Sequence, residues 1–109
     1  VQVSYAIGVA QPMGIYVNTF GTSHSRMNDG EISDVITRGI DMTPYAIENR
    51  LKLRNPMFRD TASYGHMGRK PITVSKKFTS LDGKKVDYDV DLFTWEKLDL
   101  IEKIKNIIK

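Results

Sequence analysis

The chain alternates from its first residue. Val1, Val3, Tyr5, Ile7 and Val9 fall on one parity and Gln2, Ser4, Ala6, Gly8 and Ala10 on the other, the period-two pattern of a strand with one face against a core. Pro12 and Gly14 punctuate its end, and residues 15–20 are rich in β-formers. The pattern predicts an antiparallel hairpin turning around Gln11-Pro12-Met13-Gly14, then a polar loop at 21–25. A start inside a strand, on Val1 and with no lead-in, reads as a cut within a longer polypeptide.

The period then becomes helical. Asn28 and Glu31 have capping-box spacing, and Ile32, Val35, Ile36 and Ile40 follow as an amphipathic stripe whose end Gly39 weakens. Thr43 can cap a second helix with Pro44 in its first position, and Leu51 and Leu53 carry it toward Asn55-Pro56, where it must stop. Residues 57–71 are aperiodic and read as a loop of fixed backbone shape holding one short helical turn. Alternation returns in Ile72, Val74 and Phe78 and in Val86, Tyr88, Val90 and Leu92. A three-residue loop, Leu81-Asp82-Gly83, pairs Phe78 with Val86, Val74 with Val90 and Ile72 with Leu92, and sets Lys77 opposite Asp87; a two-residue loop would oppose Phe78 to Asp87. Register follows the apolar pattern, so the longer loop is expected, with Gly83 in a left-handed bulge position. A last helix is predicted from an N-cap at Thr94, with Phe93 and Leu98 as a hydrophobic staple. Its stripe is Leu100, Ile101, Ile104, Ile107 and Ile108, and Lys103, Lys105 and Lys109 lie near its negative end. The order of elements predicts an α+β fold: a sheet with helices packed on one face, plus an added β-hairpin.

Composition narrows the chemistry. With 109 residues, 40% of them hydrophobic, the chain has the length and apolar content of one domain with a packed core. The absence of cysteine excludes disulfides, thiol catalysis and cysteine-based zinc sites, and two histidines are too few for a His-rich metal site. No apolar run approaches the ~20 residues of a membrane span and no signal segment opens the chain; a cytoplasmic location without a membrane partner fits. Sixteen basic and thirteen acidic side chains give +3, with the signs interspersed. That permits an anionic partner and does not require nucleic acid.

Few residues could carry reactions. His24 sits in a polar loop with no acid or nucleophile at motif spacing, and reads as a surface residue. His66, between Gly65 and Met67, could be an acid or base; a ring that fixes its loop through its nitrogens is the preferred reading. Asp87, Asp89 and Asp91 share a strand face and could hold a hard cation, but with Lys77 opposite Asp87 a solvated sheet face is preferred. Gly65-His66-Met67-Gly68, followed by Arg69-Lys70, has the GxxG spacing of the KH nucleic-acid loop, yet Pro71 blocks the helix such a loop needs downstream. No P-loop, GxGxxG or GxSxG motif occurs. From the residues alone this is a small α+β domain without a self-sufficient active site.

Five stretches carry a family resemblance, in order. Residues 1–12, Phe20-Gly21-Thr22 and Asp41-Met42-Thr43-Pro44 (family D-L-R-P) are followed by Thr61-Ala62-Ser63-Tyr64-Gly65-His66-Met67-Gly68-Arg69 (family T-A-A-Y-G-H-F-G-R) and Phe93-Thr94-Trp95-Glu96 (family F-P-W-E). Together they resemble S-adenosylmethionine synthetase, also called methionine adenosyltransferase. Ser63, Met67 and Thr94 depart from the motifs, and 70–92 stands where the family usually has a very short link. The resemblance implies the C-terminal domain of such an enzyme over residues 1–109, lacking its first strand and helix and carrying a 70–92 hairpin insertion.

It further implies a parent that joins ATP to methionine, releasing diphosphate and phosphate, with Mg2+ and K+ assisting. The parent would be a homo-oligomer, a dimer or a tetramer of paired dimers, with active sites between subunits. The family's phosphate-binding lysines and acids sit in an S-G-K-D segment upstream and in other domains, so these 109 residues alone are expected to be inactive and to hold no metal. One substrate-binding position carries over: Ile7 matches an apolar residue bordering the adenosine site, beside the plainer reading of a core strand residue. The Tyr64–Arg69 loop is expected mainly to fix domain packing. The alternatives from other classes are a KH-like RNA-binding module and a pure assembly domain. The isolated chain is expected to self-associate or to be marginally stable, through an exposed sheet edge and apolar surface.

Overall fold

The computed structural model describes residues 1–108, with side chains to Ile107. In chain order the elements are β1 (Gln2–Ser4), β2 (Gly14–Tyr16), α1 (Asp29–Gly39), α2 (Pro44–Leu51), α3 (Phe58–Thr61), β3 (Ile72–Thr79), β4 (Lys85–Leu92), a 3-10 turn at Thr94–Glu96, and α4 (Ile101–Ile108). They fall into two compact units, Val1–Ile47 with Asp99–Lys109, and Glu48–Leu98.

In the first unit the helix start is set by side chains. Asn28 Oδ1 accepts the Glu31 amide at 3.0 Å, and Glu31 Oε2 accepts the Asn28 amide at 2.8 Å. The expected capping box is therefore formed, and two orphan donors of α1 are satisfied. Its stripe then buries Ile32 and Ile36, with Ile40 just past the end, against Val17; Ile15, Met27, Met42, Leu100 and Ile104 close the core. Ser33 donates to the Ile15 carbonyl at 2.5 Å and so fastens α1 to β2. A Cβ on Gly39 would lie 2.6 Å from Ile107 Cδ1, so this glycine makes room for α4.

The second unit is built on the hairpin. β3 and β4 pair in the register the apolar pattern demands: Ile72 with Leu92, Val74 with Val90, Lys77 with Asp87 and Phe78 with Val86. Gly83 (φ 79°) donates to the Ser80 carbonyl at the turn. Only the hairpin's base enters a core, where Met57, Val90, Leu92 and Phe93 are buried and Leu53, Val74 and Trp95 pack around them. Lys76 reaches back to the Pro56 carbonyl at 2.7 Å and pairs with Asp60 of α3.

The structure corrects several expectations. The α+β class with its added hairpin holds: β1 and β2 form one two-stranded sheet and the β3–β4 hairpin a second. Other expectations do not hold. Strand alternation stops at Ser4: Gly8 adopts φ 82°, the Val9 amide turns back to Ala6, and Ile7 is fully exposed. β2 offers only three partners, Gly14 to Ser4, Ile15 to Val3 and Tyr16 to Gln2, so the connection spans residues 5–13 rather than a tight turn. β2 ends at Tyr16, not at Phe20, which sits exposed at φ 52°.

α2 is capped by Thr43 Oγ1, which accepts from Ala46 at 3.3 Å, but it ends at Leu51. Lys52 turns left-handed (φ 54°), and the amides of Lys52 and Leu53 bond to Asn49 and Glu48, a Schellman ending. The helix expected from Thr94 is broken. Phe93 (φ 55°) and Trp95 are drawn into the second unit's core, leaving a single 3-10 turn, while Leu98 is exposed and staples nothing. α4 starts only at Ile101, where Leu100 and Ile104 serve the first unit's core. The expected roles of the Ile108 side chain and of Lys109 lie outside the described residues.

Candidate functional site

The loop after α3 is held in shape by the turn that follows β4. Thr61 is buried and donates back to the Met57 carbonyl at 3.2 Å, after which the chain leaves helical geometry. Tyr64 and Gly65 take consecutive positive φ values of 58° and 78°, and Gly68 takes 68°. Glycine adopts that region without strain, whereas Tyr64 pays about 1–2 kcal/mol. Arg69 supplies the compensation: its Nη1 donates at 3.2 Å to the carbonyls of both Ser63 and Gly65, the residues flanking Tyr64. The same guanidinium lies 4.7 Å over the Phe93 ring.

Two further bonds join the segments. Trp95 Nε1 donates to the His66 carbonyl at 2.8 Å, and Glu96 Oε1 accepts the Gly68 amide at 2.6 Å. The rings of His66 and Trp95 meet edge to face at 5.7 Å, as do those of Phe93 and Trp95 at 6.0 Å. Thr94 Oγ1 donates at 2.6 Å to the carbonyl of Leu51, a helix-end acceptor that proline, the family's residue there, could not serve. The two motifs far apart in sequence thus form one clasp. Sequence spacing held no sign of this pairing, because the whole hairpin lies between them.

Beside the clasp, Leu51, Leu53, Phe58, Ala62, Met67 and Trp95 line an open, largely apolar groove of about 640 Å³. It can accept apolar surface; Thr61, His66 and Glu96 also line it, with the Thr61 hydroxyl donated to the Met57 carbonyl and Glu96 Oε1 accepting the Gly68 amide. His66 contributes its carbonyl and a T-shaped ring contact with Trp95 to the clasp. The GxxG amide at Gly68 is taken by a carboxylate, and four-residue α3 and strand β3 stand where a KH loop has helices. Ile7 belongs to the other unit, at an exposed turn, so the core-strand reading of it does not hold. His24 is exposed in its polar loop.

Asp91 gathers three side-chain donors. It accepts from Lys52 at 2.8 Å, Lys97 at 3.1 Å and Thr73 at 2.7 Å. These partners, Lys52 first, hold its carboxyl well below the usual range, and Asp91 in turn raises the Lys52 ammonium. Sequence spacing does not reveal this cluster, because Lys52 reaches it from the left-handed end of α2. A hard cation needs several convergent carboxylate or carbonyl oxygens. Among the described residues no three or more His, Asp or Glu side chains gather in that way, and two ammonium groups already surround Asp91. These residues therefore do not fit a Mg2+ site. Among the described residues, no helix is long and apolar enough to cross a membrane.

The fold and site define a small α+β protein class in which two motifs distant in sequence interlock. The family model for the S-adenosylmethionine synthetase C-terminal domain matches residues 1–77. The chain is 63% identical over 105 residues to the S-adenosylmethionine synthase of Cytophaga hutchinsonii, covering 96% of this chain and 25% of that protein. It is 63% identical over 108 residues to that of Parabacteroides distasonis (98% and 25%), and 56% identical over 105 residues to that of Flavobacterium johnsoniae (96% and 25%). The chain belongs to the S-adenosylmethionine synthetase C-terminal domain family. It spans about a quarter of the length of these relatives. Matches covering 96–98% of the chain run through the residues that form the β3–β4 hairpin here.

Proposed function

We propose that the chain is the C-terminal part of an enzyme that forms S-adenosylmethionine from ATP and methionine with release of phosphate and diphosphate. The observation that carries this reading is the 63% identity to S-adenosylmethionine synthases over nearly the whole chain. In this reading the enzyme is a cytoplasmic homo-oligomer assisted by Mg2+ and K+, which residues outside this chain hold. The 109 residues alone are inactive. Charge on a polyphosphate leaving group needs cations arranged around it, and among the described residues no three or more His, Asp or Glu side chains gather where they could hold a metal ion. Ile7 borders the adenosine, which suits an aliphatic side chain lifted into the open on a turn. The clasp between 63–69 and 93–96 acts on packing rather than chemistry.

The test is S-adenosylmethionine formation from ATP, methionine, Mg2+ and K+. The polypeptide of synthase length that carries this chain is expected to turn over, and the 109-residue chain is not. Within the longer polypeptide, Ile7→Asp is expected to raise KM for ATP about tenfold, the worth of one aliphatic contact, with KM for methionine unchanged. Turnover by the 109 residues alone would remove the inactivity claim. No turnover by the longer polypeptide would remove the enzyme reading, and an unchanged KM would remove the role of Ile7.

A further inference from the structure

The outer half of the β3–β4 hairpin has no packing partner among the described residues. Phe78 and Val86 are 41% and 46% exposed, and Leu81 at the turn is fully exposed. The sheet has only two strands, so the outer edge of β4 is open among the described residues.

Ladder phase decides which groups face outward there. Ser80 donates to the Lys84 carbonyl at 2.8 Å, which makes Phe78–Val86 and Lys76–Tyr88 the hydrogen-bonded pairs and Lys77–Asp87 and Ser75–Asp89 the open ones. The free N–H and C=O groups of β4 therefore belong to Lys85, Asp87 and Asp89. An edge guarded against pairing usually repels a second copy with like charge. The order Lys84-Lys85-Val86-Asp87-Tyr88-Asp89 does the reverse when it is read against itself.

We propose that β4 is a self-pairing edge, along which two copies of this chain join antiparallel with Val86 on the two-fold axis. Lys85 then opposes Asp87 of the second copy, twice over, and these are the residues whose backbone groups are free. On the opposite face Phe78 and Val86 of each copy form one apolar row across four strands. A two-fold on Asp87 would oppose Asp87 to itself, a two-fold on Lys85 would oppose lysines, and a two-fold on Lys77 of β3 would do the same. Pairing centred on Val86 avoids every like-charge opposition among these residues. The proposal rests on the hairpin alone and stands or falls separately from the enzymatic reading.

The experiment uses the cysteine-free 109-residue chain. A two-fold, non-hydrogen-bonded pair brings Cα atoms to about 4.5 Å, within disulfide reach. Val86→Cys is expected to form a disulfide dimer under mild oxidation at least about tenfold faster than Leu81→Cys, which is more exposed but outside the paired segment. In the Val86→Cys background, Lys85→Asp or Asp87→Lys alone should slow dimer formation about tenfold by opposing like charges, and the double swap should restore it. All four positions are exposed, and far-UV circular dichroism checks that each variant is folded. Equal rates for Val86→Cys and Leu81→Cys, or a double swap as slow as the single changes, would overturn the proposal.

Discussion

Replacing Met57 by alanine tests the core on which the clasp rests. Met57 is fully enclosed (0% exposed) among Val90, Leu92 and Phe93, with Leu53, Val74 and Trp95 around them. The truncation removes about three methylene-sized groups, worth about 2–2.5 kcal/mol at ~0.8 kcal/mol each. The hairpin base and Phe93 restrict how far the site can collapse, so a residual cavity adds about 1 kcal/mol. The expected loss is about 3–4 kcal/mol, a large part of the roughly 5–15 kcal/mol that holds a domain folded. Urea unfolding followed by the fluorescence of Trp95, the chain's single tryptophan and part of the same core, is the assay. The midpoint should fall by about 1–4 M at an m-value near 1–3 kcal/mol/M. Met57→Leu, which nearly conserves volume, should cost under about 1.5 kcal/mol. A loss below about 1 kcal/mol for alanine, or equal losses for both variants, would refute the packing account. Phe93 also carries the Arg69 guanidinium, so the alanine variant should speed hydrogen exchange at the Gly68 amide.

Two further perturbations probe the rest of the chain. Asn28→Ala removes the capping box of α1 and should cost about 1 kcal/mol, lowering Tm by roughly 4–8 °C in a thermal melt read at 222 nm. Asp91 has its folded-state carboxyl below the ordinary 3.8 because Lys52, Thr73 and Lys97 bond its charged form. A depressed acid stabilises the fold above its unfolded value and loses that contribution as pH falls toward the folded one. Stability should therefore decline on acidification below about pH 4, and Asp91→Asn should flatten that limb while lowering stability at neutral pH; an identical acid limb in denaturation midpoints measured against pH would contradict the bonding scheme.

Where local chemistry was sufficient, the sequence by itself determined the structure. The Asn28–Glu31 spacing dictated a helix start because its two hydrogen bonds close within one turn. The hairpin register followed from apolar alternation and from Gly83, since any one-residue slip would turn Val74 and Val90 out of the core. Family membership was legible in short ordered motifs, because each records a local backbone shape, such as the left-handed turn at Tyr64-Gly65.

Tertiary structure decided what depended on distant partners. The alternation of Val1 to Val9 promised a long strand, but alternation needs a partner to become one, and β2 supplies only three residues. Phe93 and Leu98 had the spacing of a staple, yet Phe93 gains more from burial beside Met57 than a helix start could return. The bonds of Trp95 to His66, Glu96 to Gly68 and Lys52 to Asp91 span 28 to 39 residues. No spacing rule encodes them, because each depends on where the intervening hairpin and helix ends bring the chain.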